Sequence, residues 1–201
     1  MSLVSTKWLF NNRENVKIID CSWHLPNEKR NSLEEYNSEH IPNAIYFDID
    51  KNSDQNSDLP HMLPSKKEWE EIVSSLGISN DDKIIIYDNS DLISSCRLWY
   101  SFLYFGHNKE LVYILNGGLE KWNKEKLVTT NIKTDLVKTK YSAIENKEMV
   151  KNLDEINDNI EEKKFKLVDA RSIDRFEGRI AEPREGLRSG SIKNSICLPF
   201  K

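Results

Sequence analysis

Arginine is the residue that first suggests chemistry here. Between Lys166 and Phe200, Arg171, Arg175, Arg179 and Arg184 stand among few apolar residues, and the stretch is bounded by the apolar runs Leu167-Val168 and Ile196-Cys197-Leu198. Guanidinium forks pair bidentately with carboxylates, so arginines bracketed by two strands make a candidate anion site. The competing arrangement is a solvated loop on which Asp174, Glu177 and Glu182 neutralise the same arginines. Cysteine offers less. Cys21, Cys96 and Cys197 are far apart, with no CxxC pair for a metal or a redox couple and no disulfide framework. A phosphatase-type loop would need an arginine six residues after the cysteine, and Asn27 and Phe102 stand there after Cys21 and Cys96. All three cysteines are expected to be free, packed thiols, because a buried thiol behaves as a small hydrophobe.

An earlier stretch repeats the plan of the arginine region. Lys17-Ile18-Ile19-Asp20 is followed by His40-Ile41-Pro42-Asn43-Ala44 and the apolar run Ile45-Tyr46-Phe47. Asp20 and Asp169 stand 149 positions apart, and Ile41 and Ile192 stand 151 apart. One offset of that size means two copies of a domain, since solenoid periods run at roughly 20 to 50 residues. The expected organisation is a first copy over 1–135, a linker over 136–149 and the N-terminal part of a second copy over 150–201. Strands are expected at Val16–Asp20, Ala44–Asp48, Lys83–Tyr87 and Leu111–Leu115. Helices are expected after the Ser65-Lys66-Lys67-Glu68 capping box and over Ile93–Phe105. Strands alternating with helices predict an α/β fold with a mainly parallel sheet. In the second copy, a helix opening at Asn152 and strands at Phe165–Asp169 and Ile196–Phe200 are expected.

With 201 residues, a net charge of −4 and both signs interspersed, the chain lacks the basic surface that nucleic acid or a membrane face would select. Its start has no secretory signal, and no run reaches the roughly 18 apolar residues of a span, so a cytoplasmic location is expected.

Taken together, the pieces resemble the tandem rhodanese-like sulfurtransferases, most closely those acting on 3-mercaptopyruvate. The resemblance is carried by Asp20 with Ser22-Trp23, His40-Ile41-Pro42, Phe47-Asp48-Ile49-Asp50, His61-Met62-Leu63-Pro64 and Arg97-Leu98-Trp99. Leu115-Asn116-Gly117-Gly118, Asp169-Ala170-Arg171, Arg175-Phe176 and Glu182-Pro183-Arg184 continue it in the family's order. It implies a rhodanese-like fold, needing neither cofactor nor metal, that moves a sulfane sulfur from 3-mercaptopyruvate or thiosulfate through a cysteine persulfide to a thiol, thioredoxin-like or cyanide acceptor. By the same resemblance Arg175 and Arg184 bind the donor's carboxylate and carbonyl. Asp50 and His61 form a proton relay with a serine of the second copy's cysteine loop, and Asp88 occupies the nucleophile's place in a silent first copy. The remaining histidines (His24, His40, His107) and Arg171 and Arg179 are expected to be structural. The nucleophilic cysteine is expected beyond Lys201, leaving these residues inactive alone. A noncatalytic rhodanese-like binding or regulatory module is the alternative.

Overall fold

The computed structural model describes residues 2–183 and 186–200. It divides into two compact units, Met1–Lys147 and Glu148–Lys201. In the first, β1 (Leu3–Val4) leads into α1 (Thr6–Asn12), whose N-cap Ser5 accepts a bond from the Trp8 amide. Then come β2 (Lys17–Asp20), α2 (Ser32–Ser38), β3 (Ala44–Tyr46) and α3 (Lys66–Ser75), the last opened by the reciprocal Ser65/Glu68 capping box. β4 (Ile84–Tyr87), α4 (Ser95–Tyr104), β5 (Val112–Leu115) and α5 (Gly118–Lys124) complete the unit's main elements.

The five strands form one parallel sheet in the order β1-β5-β4-β2-β3. β4 lies at its centre and every one of its side chains is fully buried, as an all-apolar, β-branched strand covered on both faces should be. α3 and α4 pack through aromatic rings. Trp69 stacks on Phe105 with centroids 4.6 Å apart and meets Phe102 edge-on at 5.2 Å. α4 begins at Ser95, later than the apolar pattern suggests. Ile93 lies outside it in a left-handed turn (φ 53°) and is exposed.

Residues 136–149, expected as a linker from their polar composition, lie along the first unit as far as Asn146. The strap that contains them is tied from Thr130 onward. Thr130 bridges His40, Thr139 Oγ1 donates to the Ile78 carbonyl (2.6 Å), and Ser142 and Asn80 exchange bonds. Ile144 and Asn146 donate to the carbonyls of Phe105 and Tyr104. Its Tyr141 is buried, stacked parallel to His107 and bonded to it. Burial pushes the Tyr141 hydroxyl up to about 12 and the His107 imidazole down, so that pair is neutral.

In the second unit α6 (Leu153–Glu162) carries an Asn152/Glu155 capping box. β6 (Val168–Asp169), α7 (Ile173–Phe176) and β7 (Ile196–Cys197) follow, with β6 and β7 parallel. The same local bonding recurs at the ends of β2 and β6. Asp20 Oδ1 accepts the Ser22 amide at 2.9 Å, and Asp169 Oδ1 accepts the Arg171 amide at 3.0 Å. Likewise Phe47 donates to the Asp20 carbonyl and Leu198 to that of Asp169. No helix among the described residues is long and apolar enough to cross a membrane.

Candidate functional site

In the first unit, the loop leaving the C-terminal end of β3 brings Asp50 and His61 together. Ligands of parallel sheets bind at that end of the strands. His61 Nε2 lies 2.6 Å from Asp50 Oδ1. An ionised carboxylate only accepts, so Nε2 carries the proton and Nδ1 is the nitrogen left to take or give one. Two residues that sequence reasoning did not single out for the site join this pair. Trp23, in the loop after β2, donates its indole N–H to Asp50 Oδ2 at 2.9 Å and meets the His61 ring edge-on. Arg97, on the first turn of α4, donates to the His61 carbonyl at 2.5 Å.

Asp88 follows β4 and turns the chain toward α4. Buried, it accepts the Ser95 amide at the head of α4 (2.7 Å) and the Ser90 amide (3.3 Å). It is a carboxylate on the donors at a helix N-terminus, where the resemblance puts a nucleophile in the second copy. The turn is braced by its neighbours. Asn89 donates its amide to Ser22 Oγ and its side chain to Glu35, which also takes a two-bond pair from Arg30 and a 3.1 Å contact from His24. Burial raises the Glu35 carboxyl, but the bonds and charge of Arg30 and His24 outweigh it and hold it below its usual value. A cleft of about 400 Å³ opens beside the turn, lined in part by Arg30, Asp88, Ser95, Cys96 and Gly118.

The cysteines lack the features of a nucleophile. Cys21 is wholly buried, and burial followed by the charges of Asp88 and Asp20 pushes its thiol well up. Cys96 is exposed on the cleft rather than packed, because Ser95, Leu98, Ser101 and Phe102 carry the buried face of α4 and Cys96 falls outside it. Desolvation and Asp88 raise its thiol too. Cys197 donates to the Arg171 carbonyl. Low-pKa thiols need positive surroundings, and Cys21 and Cys96 have the reverse. Among the other histidines, His40 is wholly buried, with its ring nitrogens on the carbonyls of Tyr36 and Ile132.

In the second unit Glu182 takes two guanidinium groups at once. Its carboxylate receives Arg175 (2.5 Å) and Arg171 (2.7 Å), and Arg171 also pairs with Asp169. Arg175 therefore pairs with Glu182, and not with the nearer Asp174 and Glu177, which hold Arg179. Arg184 lies outside the described residues. A cleft of about 340 Å³ is lined by Ala170, Arg171, Ser172, Arg175, Pro199 and Phe200. The bonds from Arg171 hold the Asp169 carboxyl below the usual carboxylate range, and those from Arg175 and Arg171 do the same for Glu182.

Carboxyls depressed in the folded state contribute stability that is complete above their unfolded values and is lost as pH falls through the folded ones. The second unit is therefore expected to loosen on acidification below the ordinary carboxylate range. The Nε–H NMR signal of Arg175, whose Nε donates to Glu182, should move as Glu182 protonates. An Arg175 signal that does not follow the titration of the Glu182 carboxyl would contradict this pairing.

Comparison with known proteins agrees in one direction. Residues 5–125 match the family model described as the rhodanese-like domain. The chain is 38% identical to thiosulfate/3-mercaptopyruvate sulfurtransferase 1, mitochondrial, of Arabidopsis thaliana, over 98% of this chain and 58% of that protein. It is 35% identical to 3-mercaptopyruvate sulfurtransferase of Mus musculus, over 99% of this chain and 69% of the mouse protein. Among solved structures, SseA from Escherichia coli superposes with a TM-score of 0.88 at 32% identity, over 99% of this chain and 75% of its own; it is described as having the rhodanese fold of 3-mercaptopyruvate sulfotransferases.

Proposed function

Because this chain belongs to the rhodanese-like domain family, we propose that it forms part of a sulfurtransferase that moves a sulfane sulfur from 3-mercaptopyruvate or thiosulfate to a thiol, thioredoxin-like or cyanide acceptor. The observation that carries this reading is the His61–Asp50 pair, 2.6 Å apart at the strand ends of a rhodanese-like unit. In the reaction a cysteine thiolate attacks the donor's sulfur. The carbon–sulfur bond of 3-mercaptopyruvate breaks, and its electron pair leaves on carbon as the enolate of pyruvate, which must gain a proton. With thiosulfate the sulfur–sulfur bond breaks and sulfite leaves. The acceptor then takes the sulfur and restores the thiolate.

A histidine oriented by a carboxylate suits the proton step near neutral pH. Arg175, oriented by Glu182, and Arg184 are the residues we assign to the donor's carboxylate and ketone, where a guanidinium stabilises charge developing on oxygen. We place the nucleophile outside Cys21, Cys96 and Cys197, since the thiols of Cys21 and Cys96 are raised and Cys197 sits in a strand. The first unit, 1–135 with its strap, is the noncatalytic copy, and residues from 150 onward belong to a second. A reducing compartment such as the cytoplasm fits the three free thiols.

Asp88 favours a second reading for the first unit by itself, a rhodanese-like module that binds or regulates without transferring sulfur. Intact mass before and after incubation with 3-mercaptopyruvate tests the assignment of the thiols. These 201 residues are expected to gain no sulfur atom. A persulfide on Cys21, Cys96 or Cys197 would overturn it.

A further inference from the structure

The Asp50 side chain is 65% exposed, and an exposed ion pair does little to hold two side chains in one geometry. A working proton relay needs its base held within a fraction of an ångström. The first unit supplies that constraint from two other elements. We propose that Trp23 and Arg97 are positioning residues for the His61–Asp50 pair, fixing which imidazole nitrogen faces the reaction. This inference rests on the reading of that pair as the proton-moving one.

Trp23 acts on both partners. Its indole N–H occupies Asp50 Oδ2 at 2.9 Å, so the carboxylate cannot rotate away from His61 without breaking a second bond. Its ring lies 4.9 Å from the imidazole at 86°, walling one side of it. Tryptophan alone among the aromatic hydrocarbon-like side chains brings a donor that cannot also accept, so Asp50 has no alternative orientation in which the bond reverses. Arg97 acts on the backbone. His61 has a left-handed conformation (φ 58°), a region that non-glycine residues visit sparingly. The Arg97 guanidinium, half-buried on α4, donates to the His61 carbonyl and ties this strained residue to the helix. With the carboxylate held from the β2 loop and the main chain from α4, Nε2–H points at Asp50 Oδ1 and Nδ1 is the nitrogen presented for chemistry.

The test is the protonation site of the neutral His61 ring, read from its two 15N shifts in the 201-residue protein at alkaline pH, with Asp50→Asn as reference. Trp23→Phe keeps a ring and removes the donor. The ratio of Nε2-protonated to Nδ1-protonated ring is expected to fall by roughly threefold or more, as for the loss of a hydrogen bond at the weak end of its range. Arg97→Met should lower the same ratio, and Arg97→Lys, which keeps a donor, should restore part of it. If Asp50→Asn shifts the ratio and neither Trp23→Phe nor Arg97→Met does, the positioning role is wrong and the pair stands alone. If Asp50→Asn itself leaves the ring unchanged, the fault lies in the reading of His61 and Asp50 as a coupled pair, and the inference falls with it.

Discussion

Trp69→Ala is expected to lower the unfolding free energy of the first unit by about 3–5 kcal/mol, the range for emptying a buried aromatic site. Trp69 is 1% exposed and lies among Phe47, Phe102 and Phe105. Those rings come from the loop after β3 and from α4, so the cavity would open where no single element can collapse to fill it. The same packing seats α4, which carries Arg97, and follows the loop that carries Asp50. Urea unfolding followed by tryptophan fluorescence of the remaining indoles would measure the loss. A change below about 1 kcal/mol, with an unaltered denaturant slope, would mean that the aromatic stack is not a determinant of stability.

Gly118→Ala is the second large effect, expected at about 3 kcal/mol from backbone conformation and crowding together. Gly118 has φ 56°, and a Cβ there would stand 2.5 Å from the Asp88 carbonyl oxygen. That oxygen already accepts the Leu119 amide at 3.0 Å. Both sides of the clash are main chain, so the Asp88 turn and the head of α5 would have to separate. A loss below about 1 kcal/mol in the same denaturation experiment would count against this account of the turn.

Local signals in the sequence were enough for the elements that those signals define. The capping boxes at Ser65/Glu68 and Asn152/Glu155, the buried run of β4 and the helix-ending glycines at 77 and 106 each depend on residues a few positions apart, and the structure has them. The strands read as Ala44–Asp48, Phe165–Asp169 and Ile196–Phe200 are shorter in the structure, because pairing with a neighbour decides strand ends and apolarity does not. The site was legible in its types more than in its contacts. Asp50 and His61 could be named, but the indole that holds Asp50 comes from 27 residues earlier and the guanidinium on His61 from 36 residues later. Nothing in their local pattern announces either contact. Arg175 was legible as a candidate, but its partner Glu182 is seven residues away across a loop, where charge alone could not choose among Asp174, Glu177 and Glu182. Cys96 reads as a packed thiol because the apolar run from Ile93 to Phe105 hides which face of the helix is buried.

The strap over residues 130–146 has a consequence for how the molecule would meet a protease. Cleavage requires several consecutive residues to leave their partners and enter an enzyme's active site in extended form. The strap's lysines at 133, 138 and 140 offer trypsin a sequence it would accept. Yet the chain around them is anchored by main-chain bonds at Thr130, Thr139, Ser142, Ile144 and Asn146 and by the Thr134 hydroxyl on the Ala44 carbonyl. Those lysines should stay intact while the chain past Asn146 is cut, and the strap should come away with the five-stranded unit as one piece. A gene cut at residue 135 would discard the half of the strap that covers α3 and α4, including buried Tyr141, and so expose the face that a composition-based boundary treats as already finished.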